Sequence, residues 1–353
     1  MKLIAESIEK HRQEQLQVLN DECLSNGSYE QWYRDLEPFR RYMQKRYICF
    51  HLGKRLYKNR YVETGEGDLL DHHTISYLAP LDYKNIGWGS RSLYAYEQIK
   101  GISDYFKKRG TRFIYAALPN KGVVYPSRIC PDESFMAGKS INVPQWRKYL
   151  YQVIDAGVET IDVLPSFMKM RDQHQVFSKE HHISSVGAKI ISDLIADYLR
   201  RTTEGIISVC QIEREERYYF LSDYREPVKS EELCSICLIS KNRKGKIPYW
   251  NQDTKNSKIA IFGDCNLQSY SGVGGGIAAN LAYNLQYPVY NAGRKLIFDY
   301  DDTMTGADLR MLAQNEIVIY VAFSSAPFVR STTMSVRHPS LGYKWCHLDL
   351  ENG

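Results

Sequence analysis

No apolar run in the 353 residues approaches the ~20 residues of a membrane-spanning helix. Met1-Lys2-Leu3-Ile4-Ala5-Glu6 turns polar too early for the apolar region of a secretory leader, so the expected location is the cytoplasm. The eight cysteines (23, 49, 130, 210, 234, 237, 265 and 346) are scattered and show no disulfide framework, which suits a reducing compartment. Cys234 and Cys237 form a single CxxC with no second pair to complete a zinc site, so no metal is expected. Charge of one sign is also scarce. The net charge is +5, and the densest basic run, Lys241–Lys246, reads as a solvated loop rather than a nucleic-acid patch. Internal repeats and low-complexity tracts are absent. What remains, with 43% hydrophobic and 25% charged residues, is an ordinary soluble globular composition. The 27 tyrosines are many, and sugar binding is one reading of them.

Against that background Gly263-Asp264-Cys265 stands out. It follows the short apolar run Lys258-Ile259-Ala260-Ile261-Phe262, as a nucleophile turn follows a strand, but with a thiol as the reactive group. A second segment, Glu180-His181-His182-Ile183-Ser184-Ser185-Val186-Gly187, precedes a strongly amphipathic helix. There His182 is placed as general base and Glu180 as its orienting carboxylate, against the alternative of a capping or packing histidine pair. In a third, Val289-Tyr290-Asn291-Ala292-Gly293-Arg294, a glycine just past a strand can offer its N–H to an oxyanion beside that of Cys265. Gly274, Gly276 and Ala279 satisfy GxGxxA but lie about ten residues beyond the strand, so they read as a loop entering a helix rather than a dinucleotide site.

Along the chain, residues 1–74 form a mainly helical N-terminal segment, read as a cap or oligomer contact. Residues 75–201 and 256–335 alternate helices and strands. Residues 202–255 are charged, tyrosine-rich and β-like, an insertion or lid, and 336–353 form a tail. Within the alternating parts the pattern predicts helices at 92–108, 143–156, 185–201, 276–285 and 305–313. It places strands at 112–117, 160–164, 258–262, 289–290 and 317–321. Such alternation gives an α/β fold, a mainly parallel sheet between helices, with chemistry at the carboxyl ends of its strands.

Gly263-Asp264-Cys265 followed by Asn291-Ala292-Gly293 resembles two blocks of the SGNH hydrolase superfamily, with cysteine at the serine position. The acid/histidine block precedes the nucleophile by 83 residues (265 − 182), an order similar to that of SGNH-like alginate O-acetyltransferases. Asn85-Ile86-Gly87-Trp88 and Leu118–Pro126, which contains Lys121, look like the early segment of that family. Three departures stand: Glu180 where the family has Asp, Ile183 at its tryptophan position, and Cys265 for Ser. The usual late asparagine block is also missing, with Phe323-Ser324-Ser325-Ala326 after the last strand.

The resemblance implies a flavodoxin-like SGNH fold and a catalytic set of Cys265, His182 and Glu180. Gly293, Asn291 and Asp264 would serve the oxyanion and substrate, and Lys121 would touch donor or acceptor. The expected reaction is acyl transfer, an O-acetyl transfer to a sugar hydroxyl of a polysaccharide or related metabolite. Acetyl-CoA or an acyl carrier thioester would be a donor substrate, with no bound cofactor and no nucleic-acid partner. An esterase or thioesterase, or a degenerate binding module, are the alternatives.

Overall fold

The architecture comes from a computed structural model that describes residues 2–39, 41–43, 45, 61–63, 69–71, 90–129, 144–179, 182–205, 210–222, 229–240, 245–249, 257–295 and 304–323. Glu180, His181, the 85–88 segment, residues 324–326 and the C-terminal tail lie outside the described residues.

The chain opens with helices α1 (Lys2–Ser25) and α2 (Tyr29–Asp35), then a small antiparallel pair, β1 (Tyr61–Glu63) and β2 (Leu69–Asp71). The N-terminal segment is thus not purely helical. Helix α3 (Ser90–Lys107) leads into β3 (Arg112–Leu118), which is followed by the one-turn helices α4 (Lys121–Val124) and α5 (Pro126–Ile129). Helix α6 (Pro144–Asp155), strand β4 (Glu159–Asp162), α7 (Leu164–Met170) and α8 (Ser185–Thr202) complete the first half. Strands β5 (Ile212–Ser222), β6 (Lys229–Ser240) and β7 (Lys246–Pro248) form a separate antiparallel sheet. The second half runs β8 (Ile259–Gly263), α9 (Cys265–Gln268), α10 (Ile277–Leu285), β9 (Val289–Arg294), α11 (Gly306–Leu312) and β10 (Ile317–Phe323).

The central sheet has the order β4-β3-β10-β8-β9 and every pairing in it is parallel. Its three inner strands, β3, β10 and β8, are buried along nearly their whole length, as a sheet covered on both faces requires. The crossovers β3 to β4 and β8 to β9 step outward in opposite directions, so right-handed connections place α6 and α10 on opposite faces. The chain reverses around β10. The carboxyl ends of β3, β10 and β8 therefore meet where ligands bind in open α/β sheets.

Several boundaries differ from the sequence pattern for local reasons. Strand β4 stops at Asp162 because its carboxylate accepts the Leu164 N–H at 3.1 Å and Pro165 starts α7. The Pro119–Gly122 loop is the start of α4, capped by Asn120, which accepts the Gly122 N–H at 3.0 Å. Strand β9 continues to Arg294, carrying Asn291-Ala292-Gly293 inside the sheet through a bulge opposite Ile261 and Phe262.

Candidate active site

Gly263 ends β8 against the central strand so closely that a Cβ there would lie 1.9 Å from the Val321 carbonyl oxygen. Only glycine fits. Asp264 then turns the chain. Its N–H donates to Val321 O at 3.1 Å, and its side chain caps the one-turn helix α9 by accepting the Asn266 N–H at 2.8 Å. Cys265, half-buried, is the first residue of that turn.

The histidine turn is built as tightly. Phe177 and Ile183 form an isolated antiparallel bridge, and Ser178 donates from both its N–H and its hydroxyl to His182 O, at 2.9 and 3.1 Å. Ser184 caps α8 by accepting the Gly187 N–H at 3.0 Å. Gly187 is required because a Cβ would sit 2.3 Å from Val176 O. This accounts for the glycine five residues after His182. His182 emerges half-buried from the turn; Glu180, its expected orienting acid, is outside the described residues.

Asn266 joins the two turns. Its side chain is fully buried, accepts the Ile183 N–H through Oδ1 at 2.9 Å, and donates through Nδ2 to Asp264 Oδ1 at 3.0 Å. The residue after Cys265 is thereby bonded to the residue after His182. Asp264 Oδ2 accepts the Phe323 N–H at 2.7 Å, tying the same network to the end of β10. Asn266 was not singled out by the sequence; a small amide after a nucleophile has no periodic or spacing signature.

The remaining expected residues take other places. Asp264 is 2% exposed and its carboxylate is occupied by three donors, so it holds the turn rather than facing a substrate. Lys121, also 2% exposed, donates its ammonium to Ser178 O at 2.7 Å and Lys179 O at 2.8 Å. Those two bonds set it against the backbone of the histidine turn. Gly293 donates its N–H to Asn291 Oδ1 at 2.9 Å, so an oxyanion there would have to displace that bond.

Cys234 and Cys237 sit three residues apart on β6 and belong to two different apolar clusters, on opposite faces of the strand, so they cannot chelate one ion. Burial pushes the Cys237 thiol up to about 11, and it also raises Cys23 and Cys210, which makes all three poor nucleophiles. The GxGxxA stretch does not open from β8. Helix α9 and a 3₁₀ turn (Ser271–Val273) intervene before Gly276 caps α10.

Comparison with known proteins bears on the fold. Residues 91–216, which include Lys121 and His182 but stop short of Cys265, match the family model described as SGNH hydrolase-like domain, acetyltransferase AlgX. The chain is 24% identical over 105 residues to the probable alginate O-acetylase AlgJ of Pseudomonas aeruginosa, a match covering 30% of this chain and 26% of that protein. The O-acetyltransferase domain of Pseudomonas putida AlgJ superposes with a TM-score of 0.54 at 15% identity, covering 82% of this chain and 99% of that one. Pseudomonas aeruginosa AlgX gives 0.51 at 17% identity, covering 79% and 66%. The fold is SGNH-like, and the resemblance is to the AlgJ/AlgX type.

Proposed function

We propose that the protein is an acyltransferase that moves an acetyl group from a thioester donor, through Cys265, to a hydroxyl of a polysaccharide or related sugar. The observation that carries this is the buried Asn266–Ile183 bond, which joins the turn presenting Cys265 to the turn presenting His182 at the carboxyl edge of the sheet. The similarity to AlgJ and AlgX supports the acetyl group and the glycan acceptor.

In this reading His182 takes the Cys265 thiol proton and the thiolate attacks the donor carbonyl. The tetrahedral intermediate collapses by breaking the donor C–S bond, and the departing thiolate receives the proton from His182. The exchange converts one thioester into another and is nearly isoenergetic. An acceptor hydroxyl then gives its proton to His182 and attacks the Cys265 thioester. The C–S bond breaks, an oxygen ester leaves, and the proton returns to sulfur. Glu180 would hold the imidazole in one tautomer. The Cys265 N–H would serve the oxyanion, with the Gly293 N–H joining once Asn291 yields it. Five free cysteines without a disulfide among the described residues suit a reducing compartment, and a cytoplasmic reaction with acetyl-CoA or an acyl carrier thioester as donor is part of this reading.

Intact-protein mass spectrometry after incubation with acetyl-CoA tests this. The expected result is one acetyl adduct, mapped to Cys265 and absent from Cys265→Ala. Acetylation spread over several thiols, or none with any thioester donor, would overturn it. Free acetate released without a sugar acceptor would move the assignment to a thioesterase.

A further inference from the structure

The Asn266 side chain bridges the nucleophile turn and the histidine turn through two hydrogen bonds, and its chemistry suits little else. The site demands an acceptor facing the Ile183 N–H and a donor facing the Asp264 carboxylate, 2.9 and 3.0 Å away. Only one orientation of the amide satisfies both, because the flipped amide would set N–H against N–H and oxygen against carboxylate. Complete burial removes water as a substitute partner. A carboxylate in its place would face Asp264 as a like charge, and an aliphatic side chain would leave the Ile183 N–H without its acceptor.

We infer that Asn266 is a positioning residue that sets His182 against Cys265, so that the pairing of thiol and imidazole depends on its amide. This rests on the assignment of Cys265 and His182 as nucleophile and base. Asn266 touches neither substrate nor donor in this arrangement; it acts through the backbone of Ile183, one residue from the histidine. The Asp264 end of the bridge is fixed independently by the Phe323 N–H and by the Val321 carbonyl. Displacement at position 266 is therefore expected to move the histidine turn rather than the nucleophile turn.

The test is the rate at which Cys265 is alkylated by iodoacetamide between pH 5.5 and 9, read by peptide mass spectrometry on the full chain, with Cys210 as internal reference. The proteins are wild type, His182→Ala, Asn266→Ala, Asn266→Asp and the Asn266→Ala/His182→Ala double variant, each checked by circular dichroism and thermal melting. Imidazole assistance is expected to make wild-type Cys265 at least ~10-fold faster near pH 6.5 than in His182→Ala. Asn266→Ala is expected to lose most of that advantage, and to cost nothing further once His182 is gone. Asn266→Asp keeps the volume and the acceptor for the Ile183 N–H but not the neutral donor toward Asp264, and should lose the advantage as well.

A folded position-266 variant with the wild-type profile would overturn the inference. So would an equal slowing by Asn266→Ala in both backgrounds, which would mean general loosening. An unchanged profile in His182→Ala would instead overturn the nucleophile–base assignment itself, whatever the position-266 variants show.

Discussion

Lys121 brings a charge into a place almost closed to water, and two backbone carbonyls of the histidine turn receive it. A buried ammonium that loses its purpose is costly, and hydrogen bonds to charged groups contribute about 1.5–3 kcal/mol each. Lys121→Met retains the aliphatic stem and deletes the donor. It is expected to lower the melting temperature by several degrees and to slow acylation of Cys265 by roughly tenfold or more through the loosened turn. If Lys121 touched only a donor molecule, the melting temperature would not change. Gly263 makes a stricter prediction. Gly263→Ala drives a methyl into the Val321 carbonyl, and the chain is expected to express poorly or to melt at least ~10 °C lower, measured by differential scanning fluorimetry. The two turns that carry Cys265 and His182 were legible in the sequence, because one follows an apolar strand and the other opens an amphipathic helix. Asn266 was not, and the structural roles of Asp264 and Lys121 were not, because the same residue types serve substrates and backbones alike. Only the partners across 57 to 83 residues of sequence separate these roles.

At the scale of elements, α1 is fastened to the core rather than appended to it. Arg147 on α6 is 1% exposed and donates to Glu22 on α1 at 2.6 Å and to Asp162 at the end of β4 at 2.8 Å. Arg147→Met would strand the Asp162 carboxylate, itself 5% exposed at the side chain, and removing one partner of a buried pair costs about 3–5 kcal/mol. A loss of unfolding free energy in urea denaturation of less than a third of that would show the clamp to be dispensable. A further anchor of α1 is His11, which faces the Tyr198 ring at 4.5 Å and the Thr160 carbonyl at 3.2 Å, with Glu14, Glu159 and Arg201 nearby. Burial dominates and holds the His11 pKa below the ordinary 6.5, with Arg201 adding to it and the Thr160 carbonyl and the two carboxylates opposing it. The unfolded chain therefore binds a proton at a pH where the folded chain does not. Stability is expected to fall as pH drops below about 6.5 and to level off below the folded pKa. His11→Gln should flatten urea midpoints between pH 7.5 and 5.5. The helix–strand alternation, with period 3.6 in α8 and unbroken apolar runs in β8 and β10, was readable because burial imposes it. The docking of α1 was not, since nothing in the sequence links Arg147, Glu22 and Asp162 to one another across 15 to 125 residues.

For the whole molecule, the question is what the three-stranded insertion does between the two halves of the site. Sequence composition identified it as β-rich but left its place open, because charged, tyrosine-rich strands carry no address. In the structure β6 runs along α8 and α10, and its backbone reaches both halves. Ser235 N–H donates to Ser185 Oγ at the start of the histidine helix at 3.1 Å, and Cys237 N–H donates to Gly274 O, behind the nucleophile turn, at 2.9 Å. Beyond β7, the Tyr249 hydroxyl accepts the Val289 N–H at 3.0 Å and donates to Val289 O at 3.3 Å, binding the insertion to the first residue of β9. This is the placement of a brace rather than of a free lid. A lid could be altered with a change in acceptor choice and little loss of stability; a brace could not. Tyr249→Phe keeps the ring and removes both bonds to Val289, at a net loss of about 0.5–1.5 kcal/mol for each. The expected result is a loss of unfolding free energy of matching size in urea denaturation, with unchanged acceptor selectivity in the proposed transfer. Full stability with altered acceptor choice would make the insertion a lid after all.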